Sequence, residues 1–216
     1  MRVVLVAGGP ELELADLEAF KEEGVYWIGV DRGTLYLLNR GIIPQAAFGD
    51  FDSVTAEEWR LIQQQVEVVH QFPPEKDETD LEIALMKAME MKPEQLFILG
   101  ATGGRLDHFF GTMSLLTSKY IVGSDTQIEV VDRFNRLSIC GPGTRKAWKD
   151  PNYKYFSFFP VSGEVTGFTL DGFKYPLENH TVQAGSTLYV SNELAGESGT
   201  FSFTGGILMV VRSSDD

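Results

Sequence analysis

The chain changes its hydrophobic period once, and that change limits its architecture more than any single motif. Over roughly the first 120 residues, short apolar runs alternate with amphipathic stretches. Residues 3–6, 25–30, 46–48, 66–69 and 96–99 read as strands, their apolar runs short and largely uninterrupted as in strands buried on both faces. Between them, residues 12–20, 34–39, 55–65, 77–91 and 106–119 read as amphipathic or helical segments. Thr55-Ala56-Glu57-Glu58 has the spacing of a capping box, and Leu81, Ala84, Leu85 and Ala88 share one helical face. This alternation predicts an α/β domain, a mostly parallel sheet covered by helices. After Gly123-Ser124-Asp125 the helical period is gone. β-prone runs at 128–131, 137–140, 153–159, 168–175, 187–190, 200–203 and 207–211, separated by Gly- and Pro-containing turns, predict an all-β sandwich, jelly-roll-like. The expected boundaries are 1–124 and 125–216, and 216 residues at about 150 per domain accommodate both.

Charge and cysteine content narrow the function. With 31 Asp+Glu against 18 Lys+Arg the net charge is −13, which argues against nucleic acid or an anionic membrane surface as a partner. A polyphosphate remains a fitting ligand if carboxylates hold a divalent cation between it and the protein. Cys140 stands alone, so neither an intrachain disulfide nor a cysteine zinc cluster is expected. No stretch has the length of a membrane helix and the N-terminal run is too short for a secretory signal, so the expectation is a soluble, cytoplasmic protein.

Ligands of open parallel sheets gather beyond the carboxyl ends of the strands, so the turns after the expected strands are where chemistry should sit. Gly8-Gly9, Asp31-Arg32-Gly33, Gly49-Asp50-Phe51-Asp52-Ser53, Lys76-Asp77-Glu78-Thr79-Asp80 and Gly100 to His108 all fall there. Asp50 and Asp52, two apart, share one face of an extended backbone and suit a hard cation; for the pair taken alone, a turn closed by an Asx bond with a helix cap downstream is the plainer reading. Asp77 and Asp80 share the first turn of a helix. N-capping accounts for Asp77, whereas a second carboxylate at Asp80 beside Glu82 is crowding that calls for a cation or a hydrogen-bond network. Gly100-Ala101-Thr102-Gly103-Gly104-Arg105-Leu106-Asp107-His108 joins a strand to a helix, where glycines bring backbone N–H groups close to phosphate and Arg105 offers a bidentate clamp. It is neither GxxxxGK[ST] nor GxGxxG, and a tight turn with a solvated Arg105 explains it equally. His70 and His180 read as structural, and the tryptophans as packing residues.

Taken in order, Asp31-Arg32-Gly33, Gly49 to Ser53, Asp77-Glu78-Thr79-Asp80 and Gly100 to His108 resemble bacterial thiamin pyrophosphokinase. So do Gly172-Phe173-Lys174-Tyr175-Pro176-Leu177, Gly185 and Val190-Ser191-Asn192-Glu193. The resemblance covers nearly the whole chain. It implies a nucleotide- and Mg-binding catalytic domain followed by a thiamine-binding and dimerisation domain, and a homodimer with the active site between subunits. The implied reaction is ATP + thiamine → AMP + thiamine diphosphate, Mg²⁺-dependent, by in-line attack of the thiamine hydroxyl at the β-phosphorus. By motif it assigns Asp50, Asp52, Asp77 and Asp80 to the metal and polyphosphate, with Asp52, Asp77, Asp80 and Arg105 as the catalytic set. It assigns Asp31, Arg32, Gly103, Gly104, Arg105, Asp107 and His108 to the nucleotide, and Ser191 and Asn192 to thiamine. Such transfers depend on alignment and charge stabilisation, and the sequence leaves open whether Asp77 or Asp80 accepts the hydroxyl proton or binds metal. Two other readings stay open at this point: a Mg²⁺-dependent nucleotide hydrolase or kinase of another small alcohol, and a non-catalytic nucleotide or vitamin sensor.

Overall fold

The computed structural model describes residues 1–215. These form two compact units, one comprising Met1–Leu115 with Asp125–Arg133, the other Leu116–Ser124 with the described residues from Phe134 onward.

The first unit contains β1 (Arg2–Val6), β2 (Tyr26–Val30), α1 (Gly33–Asn39), β3 (Ala46–Gly49), α2 (Ala56–Gln65), β4 (Val68–Gln71), α3 (Asp80–Glu90), β5 (Gln95–Leu99) and α4 (Leu106–Leu116). After α5 (Lys119–Val122), which belongs to the second unit, β6 (Gln127–Val131) completes its sheet. The strands pair in parallel in the order β4-β3-β2-β1-β5-β6. Val3, Val4, Leu5 and Val6 in the middle of this sheet are 0% exposed, as continuous apolar runs of parallel strands require. Thr55 caps α2 in the expected box: its Oγ1 accepts from Glu58 N at 3.2 Å, while its own N donates to Glu58 Oε2 at 2.7 Å. Ala84, Leu85, Ala88 and Met89 are the buried stripe of α3.

Three expectations for this part of the chain are corrected. Residues 12–20 form no α-helix but two 3-10 turns, Glu11–Glu13 and Leu17–Phe20. Their backbone is drawn elsewhere: Glu13 O accepts from Arg133 N at 3.0 Å, Leu14 bridges Asp132, and the Asp16 side chain accepts from Glu18 N. The helix expected at 106–119 stops at Leu116, and Ser118 caps α5 separately. Residues 127–131, read from sequence with the all-β half, pair with β5 from Gln95↔Gln127 to Leu99↔Val131 and so extend the parallel sheet.

The second unit holds β7 (Asn135–Cys140), β8 (Gly143–Trp148), β9 (Tyr155–Pro160), β10 (Glu164–Asp171), β11 (Leu177–Gln183), β12 (Ser198–Phe203) and β13 (Leu208–Ser213). β13 pairs antiparallel with β7 and β9, and β11-β10-β12-β8 form an antiparallel sheet of four. Phe156 and Phe158 of β9 and Leu208 and Val210 of β13 share one core with Phe168 and Leu170 of β10 and Phe201 of β12. The Phe158 ring lies 5.1 Å from that of Phe168 and 5.5 Å from that of Phe201. Two sheets closing on one aromatic core make a β-sandwich. β8 and β11 escaped the sequence reading because they are the two edges of the four-stranded sheet: each buries a single residue, Ala147 and Val182 respectively, so neither shows apolar alternation. Residues 187–190, expected as a strand, are not one. Tyr189 is buried between Leu188 and Val190, which are 75% and 44% exposed. Among the described residues, no helix is long and apolar enough to cross a membrane.

Candidate active site

The order β4-β3-β2-β1-β5-β6 turns back at β1. The chain steps outward from β1 to β4 on one side, and α3 then leads to β5 on the other. The loops after β1 and β5 therefore diverge, leaving a crevice at their carboxyl ends. Close backbone approach shapes its floor. Gly9 N donates to Gly100 O at 2.9 Å, and a Cβ at Gly9 would lie 2.4 Å from that oxygen. The cleft has a volume of about 960 Å³ and is lined by the turns after β1, β2, β3 and β5 and by the segment entering α3.

Three of those segments deliver carboxylates to one place. Asp31, Asp50 and Asp80 each present an oxygen within 4.8 Å of the other two. Asp31 follows β2 in the left-handed region at φ 48; its N donates to Phe48 O at 2.9 Å, and its Oδ1 accepts from Phe51 N at 3.2 Å. The same Oδ1 explains Gly49, where a Cβ would come within 2.0 Å of it. Asp50 follows in a turn anchored by Phe51, itself at φ 59 and 5% exposed, whose ring packs 4.5 Å from that of Trp59. Asp80 opens α3 behind the N-cap Thr79, whose side chain accepts from Glu82 N at 3.1 Å.

The crowding leaves a clear electrostatic mark. Burial, and then the Asp80 charge, push the Asp31 carboxyl up from 3.8 to about 7. Asp50 and Asp52 add to the rise, and the Phe51 N–H opposes it. Lys76 Nζ partly offsets the cluster, 3.0 Å from Asp80 Oδ1 and donating to Oδ2 at 3.1 Å. Asp80 Oδ1 is buried, with the Lys76 ammonium as its close polar neighbour. Three converging carboxylates, their negative charge only partly met by Lys76, fit a hard dication. Opposite oxygens about an octahedral Mg²⁺ at about 2.1 Å stand about 4.2 Å apart.

Asp31, which the resemblance assigns to the nucleotide, also lies in the triad. Asp52 and Asp77 are exposed and line the same cleft outside that triad. The extended backbone imagined for Asp50 and Asp52 is absent: Phe51 is left-handed and Asp52 N donates to Asp50 Oδ1 at 3.0 Å, so the Asx turn and the converging carboxylate coexist. Gly104, Arg105, Asp107 and His108 line the cleft. Arg105 lies at its rim, forked onto Asp107 with Nε 3.1 Å from Oδ1 and Nη2 2.6 Å from Oδ2, which holds the Asp107 carboxyl below its usual range. Arg32 and Gly103 do not line it. Arg32 braces the neighbouring turn, donating to Ser53 O at 2.6 Å and to Glu58 Oε1 at 3.4 Å; Gly103 supplies a left-handed corner at φ 77.

Ser191 and Asn192 lie in the second unit. Ser191 is exposed at φ 57, and its N donates to Ser157 Oγ at 3.0 Å. The Asn192 side chain is 5% exposed and occupied internally: Oδ1 accepts from Tyr175 N at 3.1 Å and Glu193 N at 2.9 Å, and Nδ2 donates to Tyr175 O at 2.9 Å. Lys76, which the sequence places in its turn without a role, and Tyr36, which it does not single out, also line the cleft; Tyr36 donates its hydroxyl to Gly9 O at 3.0 Å. The spacing of Lys76 four residues before Asp80 was the available signal for the first.

A family model for the catalytic domain of thiamin pyrophosphokinase matches residues 17–130, and one for the vitamin B1 binding domain of thiamin pyrophosphokinase matches residues 146–208. The chain is 46% identical over 211 residues to thiamine pyrophosphokinase of Bacillus subtilis (strain 168), a match covering 98% of each chain. The crystal structure of thiamine pyrophosphokinase from Bacillus subtilis superposes with a TM-score of 0.94 at 45% identity, with all of both chains covered. That of thiamin pyrophosphokinase from Geobacillus thermodenitrificans superposes with a TM-score of 0.91 at 50% identity, covering 100% of this chain and 99% of the other.

Proposed function

The chain belongs to the thiamin pyrophosphokinase family, and we propose that its cleft runs ATP + thiamine → AMP + thiamine diphosphate with a magnesium–triphosphate gripped by Asp31, Asp50 and Asp80. The observation that carries the metal assignment is the convergence of these carboxylates from three separate turns on one place. Bound there, Mg²⁺ would neutralise the polyphosphate and draw charge from the phosphorus under attack. The chain's own residues supply orientation. The Gly100 to Arg105 turn and the start of α4 offer N–H groups and a favourable helix end to phosphate oxygens. Arg105 follows charge on the departing AMP. The thiamine hydroxyl attacks the β-phosphorus in line, its proton passing to a carboxylate outside the triad, Asp52 or Asp77.

Ser191 and Asn192 serve the thiamine end in this reading. Asn192 acts through the Tyr175 backbone that it clamps, and Ser191 through its exposed position. The second unit carries the thiamine-binding and dimerisation role, and the enzyme works as a homodimer with the active site between subunits. The test is a nucleotide product assay with and without thiamine and Mg²⁺. AMP should form only when both are present. Phosphate released without thiamine would mark a nucleotide hydrolase or a kinase of another alcohol, and binding without turnover would mark a sensor.

A further inference from the structure

Lys76 occupies a place that the cation reading gives to something else. Its side chain is 13% exposed and that of Asp80 14%; Nζ is 3.0 Å from Asp80 Oδ1, and it donates to Asp80 Oδ2 at 3.1 Å and to Pro73 O at 3.3 Å. Lysine ordinarily keeps its strongly hydrated ammonium in water, and an exposed pair of this spacing would hold only weakly. Here the side chain turns inward, against a carboxylate that also faces Asp31 and Asp50. Asp80 thus has two rival cationic partners. A divalent ion on Asp80 would repel an ammonium about 3 Å from the same oxygens, with a single carboxylate shared between the two cations. Lys76 lines the cleft, and its four-carbon stem can swing. The other strongly basic side chain of that lining, Arg105, is already forked onto Asp107.

We infer that Lys76 is a phosphate-binding residue held in reserve by Asp80. Its ammonium neutralises the acidic cluster while no cation is present, and it turns to a phosphoryl oxygen of the nucleotide once the cation takes Asp80. This rests on the cation site proposed above. It makes metal binding and nucleotide binding respond to Lys76 with opposite signs, which a purely structural lysine would not do.

The test compares the full-length wild type with K76M and K76R by calorimetric titration, first with Mn²⁺ alone and then with a non-hydrolysable ATP analogue at saturating Mn²⁺. K76M removes the competing charge and should bind Mn²⁺ alone about tenfold more tightly, while the analogue binds about tenfold more weakly for loss of a charge-assisted contact. K76R keeps the charge but changes its shape. It should bind Mn²⁺ within about twofold of wild type and still weaken analogue binding, which keeps the test decisive if K76M does not fold. Equal losses for metal and analogue, or no change in either, would overturn the assignment of Lys76. Failure of wild type itself to bind Mn²⁺ would instead remove the three-carboxylate site, a result distinguishable from the first.

Discussion

Replacing Asp31 by asparagine should stabilise the metal-free protein while disabling it. Asparagine keeps the shape, tolerates the left-handed backbone at φ 48 and can still accept from Phe51 N, so the change is one of charge. In the folded chain the Asp31 carboxyl is raised from 3.8 to about 7, by burial first and by Asp80 next. The folded state therefore holds a proton that the unfolded chain has already released, and stability falls as pH rises from about 4 through about 7. About three pH units at about 1.4 kcal/mol each give an upper bound of about 4 kcal/mol. Partial contact of the site with water and salt reduces this to about 2 kcal/mol. The asparagine variant escapes the penalty, so at pH 8 its melting midpoint in EDTA should exceed wild type by about 4–8 °C, and the gain should fade between pH 7 and pH 4. Added Mg²⁺ should stabilise wild type by mass action and the variant much less, while thiamine-dependent AMP formation collapses in the variant. A variant no more stable than wild type at pH 8, or equally stabilised at pH 4 and pH 8, would refute the crowding argument.

Other perturbations separate the scaffold from the chemistry. Phe51→Ala empties a buried ring site against Trp59 and should destabilise by about 3–5 kcal/mol in chemical denaturation. Thr79→Ala removes the cap that fixes the start of α3; a loss of about 1 kcal/mol is expected, with weaker Mg²⁺ binding because Asp80 is the next residue. Arg105→Ala acts at an exposed rim pair, so the melting midpoint should not move while the KM for ATP rises about tenfold.

Legibility in the sequence followed burial. Strands such as Val3 to Val6 and Leu96 to Leu99 are enclosed on both faces, and their apolar runs announce them. The edges β8 and β11 are mostly exposed, and their polar sequences conceal them. The first crossover misled because Leu12 to Phe20 carries an amphipathic pattern whose backbone partners, Asp132 and Arg133, lie far along the chain. At the site, the turns after the strands could be picked out, since acids and glycines cluster there. Which acids converge could not, because convergence depends on local backbone handedness. Asp31 and Phe51 both adopt left-handed conformations; with an Asx turn between Asp50 and Asp52, Asp31 comes close to Asp50 and Asp80 while Asp52 lines the cleft beside them. The inward orientation of Lys76 stayed hidden for a similar reason, since only packing distinguishes an inward lysine from a solvated one.

Anomalous scattering from Mn²⁺ in crystals grown with a non-hydrolysable ATP analogue tests the metal cage most directly. The expected peak lies about 2.1 Å from carboxylate oxygens of Asp31, Asp50 and Asp80 together, with analogue phosphate oxygens completing the shell. A peak ligated by other residues, or one that leaves Asp80 beyond bonding distance, would contradict it.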